Sequence, residues 1–154
     1  MLSLYKPELN DLWFRRRMLA DAETMAYNCA WGGAIAFPEE DWADWFDYWV
    51  ARPEGKRFYR YLKAESGDFV GEIAYHFDAS LGGFTADVIV FAPYRGRGFG
   101  AEGLDLLCAA AKENGVTELY DDIAADNPAI ALFLARGFAE EGRTDGKIIL
   151  KKIL

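Results

Sequence analysis

The stretch "APYRGRGFGAEGL", residues 92–104, sets four glycines and two arginines at the head of a helix-forming run, directly after the apolar run "DVIVF". At such a junction the unpaired N–H groups of a helix start converge on an anion, and the helix dipole adds partial positive charge. Gly96, Gly98 and Gly100 let the main chain approach phosphate oxygens with no side chain in the way, while Arg95 and Arg97 add charge. A turn that merely joins a strand to a helix needs one glycine, and each extra one costs about 0.5 to 1 kcal/mol where it falls in regular structure. The predicted occupant is a phosphate-bearing ligand. Two carboxylates form the second chemical signal. Glu72 in "FVGEIAYH" and Asp87 in "TADVIV" lie inside apolar strands, where an acid is unusual unless it faces solvent or accepts a proton. Tyr120 in "TELYDDIA" could supply a proton, although an aromatic residue in a strand is more simply a packing residue.

These residues need elements to position them. "LSLYK" reads as a short strand stopped by Pro7, and "ELNDLWFRRRMLAD" as an amphipathic helix with Leu9, Leu12, Trp13, Arg16 and Leu19 on one side. A loop broken at Gly32-Gly33 follows, with Trp31 beside it as a contact for an incoming substrate. In "EEDWADWFDYWVAR", Trp42, Trp45, Phe46, Trp49 and Val50 make one helical stripe of the kind usually buried, although tryptophans here could also wall a cationic amine. "RFYRYLKA", "FVGEIAYHFD" and "FTADVIVF" are three strands joined by polar or glycine-rich turns, hence an antiparallel meander. The glycine loop then opens a helix with Leu104, Leu107, Cys108 and Ala111 on one face and Gly115 as its stop. "VTELYDDIA" is a strand, Asn127-Pro128 opens the helix "AIALFLAR", and "FAEEGR" and "KIILKKIL" form two last strands.

Length and composition bound the function. The 154 residues suit one domain, 1–154, with apolar residues at 52% and charged ones at 27%, as in ordinary globular chains. A net charge of −8 repels nucleic acid and anionic membrane, so neither is an expected partner. Cys29 and Cys108 lack metal-ligand spacing and have only His76 to assist them, so no metal is expected and both read as buried free thiols of a cytoplasmic protein. "MLSLYKPELN" lacks a signal-peptide pattern.

Gly98, Gly100 and Gly103 also satisfy G-x-G-x-x-G, with Glu118 at about the spacing of a ribose ligand. That fingerprint belongs after the first strand of a parallel array, whereas here it follows three antiparallel strands. "VFAPYRGRGFGAEGLDLL" instead resembles the acetyl-CoA loop of the GNAT acyltransferase superfamily, Arg/Gln-x-x-Gly-x-Gly/Ala, with Arg95, Gly98 and Gly100 at the matching positions. "NPAIALFLARGF" is similar to the second signature of that family, through Asn127, Gly137 and Phe138. The resemblance implies an α/β fold (a mixed, α+β sheet) of about seven strands flanked by helices and splayed between the fourth and fifth. It implies acetyl-CoA in the opening, with Val88, Ile89 and Val90 along the pantetheine arm. Arg95, Gly96, Arg97, Gly98, Phe99 and Gly100 would hold the pyrophosphate, with Asn127 on the pantetheine side and Phe133 a further coenzyme contact.

The implied reaction is N-acetylation of a primary amine, on a small molecule or a peptide, by direct attack within a ternary complex. Many members place a tyrosine acid where this chain has Phe133, a residue that cannot donate a proton. A thiol with a pKa of about 8.5 is a tolerable leaving group without one. Two other readings stand beside this one: a CoA-binding module or sensor without turnover, and a nucleotide-binding oxidoreductase. The oligomeric state is open, with a homodimer among the alternatives.

Overall fold

The computed structural model describes residues 1–29 and 32–154. Seven strands form a single sheet in the order β1-β2-β3-β4-β5-β7-β6. They are β1 Ser3–Tyr5, β2 Arg57–Lys63, β3 Phe69–Asp78, β4 Gly83–Val90, β5 Glu118–Ala124, β6 Ala139–Thr144 and β7 Lys147–Ile153. The first four run antiparallel to their neighbours; short turns join β2 to β3 and β3 to β4, whereas the helical segment from residue 6 to residue 56 separates β1 from β2. Between β4 and β5 the pairing is parallel and covers only Phe84 with Leu119 and Thr85 with Tyr120. Beyond Thr85 the two strands part, and β5 continues on its other side in a long antiparallel register with β7. No doubly wound parallel array forms among these strands, so the G-x-G-x-x-G of Gly98, Gly100 and Gly103 lacks the sheet that a dinucleotide site needs.

Side chains alternate across the strands, so the sheet buries two faces against two sets of helices. One face carries Leu62, Ile73, Tyr75, Ala86 and Leu119 beneath α3, Phe99–Glu113, and α4, Ala129–Ala135. On that side Leu104, Leu107, Cys108 and Ala111 are buried, as the helical spacing anticipates. The opposite face carries Tyr59, Tyr61, Ala74 and Ile89 beneath α1, Leu12–Ala20, and the helix that begins as α2, Trp42–Phe46. Over Asp47–Ala51 that helix widens to π geometry.

The inward stripe of α1 differs from the expected one. Leu12, Phe14, Met18 and Leu19 are buried, whereas Trp13 and Leu9 are 48% and 40% exposed. The cause is the floor on which α1 rests: Phe14 meets the rings of Tyr61 and Phe91 edge-on, 5.1 and 5.8 Å between centroids, and this contact sets the helix phase. Trp42 and Trp45 pack with Phe37, and Trp49 packs with Tyr59, so the tryptophan stripe lies half-buried against the core. The cation over Trp45 belongs to the chain itself: the Arg15 guanidinium lies 4.4 Å from the ring centre.

Gly71 marks the closest approach of backbone to backbone. A Cβ there would sit 2.3 Å from the Ile89 carbonyl oxygen on β4. Gly71→Ala is therefore expected to force β3 and β4 apart and to cost about 1–3 kcal/mol, read as a lower urea midpoint with an unchanged m-value.

Candidate functional site

The parting of β4 and β5 opens a cleft of about 840 Å³. One wall is the edge of β4 at Val88, Ile89 and Val90, and the other is β5 from Asp121 to Ala124, continued by Asn127 and Phe133. The glycine loop closes one end, with Gly96, Gly98, Phe99 and Gly100 on the surface of the cleft. The turn bearing Tyr27 and Cys29 borders it as well.

The loop has the backbone of an anion cradle. Gly96 and Gly98 take φ of +80° and +81°, with Arg97 between them at negative φ, and this alternation turns successive N–H groups toward one concave point. Gly98 is the N-cap of α3, and the first helical bond runs from the Glu102 N–H to the Gly98 oxygen at 3.1 Å. The N–H groups of Phe99, Gly100 and Ala101 precede that bond and have no intrahelical acceptor. Among the described residues, no backbone acceptor is found for the N–H groups of Gly96, Arg97 and Gly98 either.

The Arg95 guanidinium is bound to main-chain oxygens of Thr24 (2.9 Å), Glu23 (3.2 Å) and Val90 (3.2 Å), and the N–H of Arg95 bonds Ala92. These bonds brace the loop, while Arg95 remains among the residues that line the cleft. Thr24, fully buried, adds to the brace: its hydroxyl accepts the Ala92 N–H at 3.0 Å and donates to Asp21 at 2.5 Å. These bonds from Thr24 hold the Asp21 carboxyl below its usual range. Arg97 is exposed, lies over the Tyr94 ring at 5.6 Å and is not among the residues that line the cleft.

The two carboxylates chosen from sequence separate. Glu72 is buried and does not line the cleft. One nitrogen of Arg15 donates to both of its oxygens, at 2.8 and 2.9 Å, and the Tyr59 hydroxyl donates to one of them. With both oxygens engaged, Glu72 has no route to a substrate. Asp87 lies on the same strand face, two residues past the last β4–β5 pair, with its carboxylate open to the cleft. The depth of the cleft, followed by the charge of Glu72, pushes its pKa up to about 6, and Arg15 opposes the shift.

Tyr120 is not a cleft residue. Its ring covers Gly83, its hydroxyl donates to Glu118 at 3.1 Å, and that bond raises its pKa. Phe133 is buried, stacks edge-on with Phe138 at 5.0 Å, and presents to the cleft. Asn127 lines the cleft while its side-chain oxygen caps α4 by accepting the Ala129 N–H at 2.9 Å. Trp31 lies outside the described residues. Cys29 is exposed on the turn at the cleft mouth, contrary to its reading as a core thiol, while Cys108 is buried on the inner face of α3 and its burial raises the thiol pKa.

Two cleft residues with displaced titration escape the sequence reading. Asp121 follows the last β4–β5 pair on β5, and its burial, with the charge of Asp87 next, lifts its pKa to about 8. Tyr27 borders the same space, its phenol held protonated by burial and by the charges of Asp87 and Glu72. The signal for Asp121 was present, an acidic pair inside the apolar strand "LYDDIA", the same anomaly that singles out Asp87.

Solved structures share this architecture. PaiA N-acetyltransferase of Thermoplasma acidophilum, in complex with coenzyme A, superposes with a TM-score of 0.72 at 14% identity, over 100% of this chain and 99% of that one. Salmonella typhimurium yncA, with its cofactor acetyl-CoA, gives 0.71 at 17% identity over 100% and 94%. A spermidine N-acetyltransferase chimera of Vibrio cholerae SpeG and hSSAT gives 0.77 at 15% identity over 99% and 95%. At these identities the likeness speaks for the fold alone. Comparison with curated proteins gives no match. The family model for the GNAT acetyltransferases matches residues 16–138, most of the sequence, and with the splayed sheet and its glycine cradle this shows that the chain belongs to the GNAT acetyltransferase family.

Proposed function

We propose that this protein binds acetyl-CoA in the fork cleft and transfers the acetyl group to the nitrogen of a primary amine. The observation that carries the reading is the set of unpaired main-chain donors from Gly96 to Ala101, gathered at a positive-φ bend and a helix start facing the cleft. Such a cradle fits a pyrophosphate, and the edge of β4 from Val88 to Val90, unpaired with β5, fits the amide-bearing arm beyond it. Acetyl-CoA supplies an activated acyl group, so the protein has to align the amine and take its proton. Asp87 is placed for that proton: it lies within the cleft and its pKa of about 6 suits a base working near neutrality. The acceptor is a small-molecule or peptide amine, and the carboxylates Asp87, Asp122 and Asp126 on the cleft surface favour a cationic one.

Phe133 favours a second reading, a CoA-binding sensor without turnover, because it leaves the far wall without the phenol that many relatives carry there. A thiol-release assay with acetyl-CoA and a panel of primary amines separates the two. The transfer reading expects release above background with at least one amine, and the sensor reading expects tight coenzyme uptake with none.

The cradle has its own test. Gly98→Val puts a β-branched side chain at φ +81°, a strained conformation costing about 1–3 kcal/mol, and breaks the concave run of N–H groups. Calorimetry is expected to show coenzyme affinity reduced by roughly tenfold or more, the worth of one or two charge-assisted hydrogen bonds.

A further inference from the structure

The fork brings together two acids that the resemblance does not account for as a pair. Asp87 and Asp121 stand just past the last paired residues of β4 and β5, so they flank the point where the sheet opens. They belong to opposite faces. Asp87 alternates with Ile89, which packs among Tyr59, Tyr61 and Ala74 beneath α1. Asp121 alternates with Leu119 and Ile123, which pack in the cluster that contains Phe133 beneath α3 and α4. One carboxyl therefore opens toward the side bordered by Tyr27, and the other toward the wall where Phe133 stands.

Resting on the acetyl-transfer reading, we propose that Asp121 is the acid that protonates the leaving sulfur, in place of the phenol absent at Phe133, while Asp87 is the base for the amine. The surroundings separate the two roles. Asp121 is faced by Asp87 across the fork and by Asp122 along its own strand, while the neighbouring cation, Lys147 on β7, lies 3.7 Å from Asp122. On β7 its register partner is the apolar Leu150. Asp87 is faced by Glu72 from β3, Arg15 from α1 and Tyr27 from its turn. Burial and like charge keep a proton on Asp121 at neutral pH, while the Arg15 cation helps Asp87 to ionise first.

In the reaction Asp87 takes one proton from the acceptor ammonium, and the freed nitrogen lone pair forms the new N–C bond. The C–S bond breaks with its electron pair on sulfur, to which Asp121 gives its proton. Asp121 then recovers the second proton of the acetylated nitrogen, and the proton on Asp87 leaves to solvent, so one proton is released per amide and thiol formed.

The test begins without any acceptor. Carbon-13 NMR of carboxyl-labelled aspartate should show Asp121 titrating above pH 7 and Asp87 near pH 6; an Asp121 already ionised at pH 6 would overturn the proposal. With the amine that turns over fastest in the panel, Asp121→Asn should lower kcat by about 100-fold. Its coenzyme uptake in calorimetry should be unchanged, and the added substitution Phe133→Tyr should restore at least tenfold. A variant within threefold of the parent, or one that loses coenzyme uptake, would also overturn it. If the parent itself takes up no coenzyme A, the acetyl-transfer reading fails, an outcome distinct from a misassigned Asp121.

Discussion

Asp87→Asn is expected to lower kcat with the best amine by about 10²–10⁴-fold while leaving coenzyme affinity unchanged and making the protein more stable at pH 7 to 8. The substitution keeps the shape of the side chain and removes only its capacity to accept a proton. A base whose pKa is raised to about 6 is ionised at neutrality, so in the parent kcat/KM should fall as pH drops through 6, and this acid limb should vanish in the variant. The stability effect has the opposite sign. Asp87 in the folded protein holds its proton more tightly than in the unfolded chain, where the value is about 3.9. Its contribution to stability is therefore present below about pH 4 and is lost as pH rises through 6; Asp121 behaves alike, with loss extending through 8. Removing a charge that the fold disfavours should raise the thermal midpoint above that window. Higher stability with lost turnover separates a functional group from a structural one, because a damaged fold would lose both.

Arg15→Ala should be the most destabilising single change. Arg15 and Glu72 form an ion pair at 2.8 Å, with side chains 17% and 4% exposed, and aromatic rings of Phe37, Trp45 and Tyr59 surround the guanidinium. Burial works against the charge on Arg15, yet Glu72 and Tyr59 more than offset it and its pKa is raised. Deleting the cation strands the Glu72 carboxylate in the interior, at a cost of about 3–5 kcal/mol. Against a total of roughly 5–15 kcal/mol, that is enough to unfold a large fraction of the protein near 37 °C. The double variant Arg15→Met with Glu72→Met should recover most of the loss, because no charge remains buried. Circular-dichroism melts of the three proteins would measure this; a single variant as stable as the parent would mean that the pair is not sealed from water.

The local parts of this picture were legible in the residues. Period-2 runs predicted β2, β3 and β4, and the glycine loop announced the start of α3, because glycine spacing and helix ends are short-range properties. The sequence was less informative where the outcome depended on contacts between distant segments. Arg15 and Glu72 are 57 positions apart, and only the stacking of α1 on the sheet brings them together, so Glu72 looked as available for chemistry as Asp87. The brace that Arg95 makes was hidden for the same reason, because it depends on carbonyls more than 70 residues upstream. Asp121 became visible only once the end of the β4–β5 pairing was known, since the same pair of acids on an edge strand would be a solvated pair.

The most direct measurement is calorimetry of the parent protein with coenzyme A, with pantetheine, which lacks the pyrophosphate, and with NAD. Main-chain donors of the Gly96–Ala101 bend gripping a diphosphate predict saturable heat with coenzyme A, far weaker binding of pantetheine, weaker binding of NAD, which has the diphosphate but no pantetheine arm to lie along β4, and a loss in Gly98→Val. Equal affinity for pantetheine and coenzyme A, or coenzyme uptake indifferent to Gly98→Val, would contradict the account.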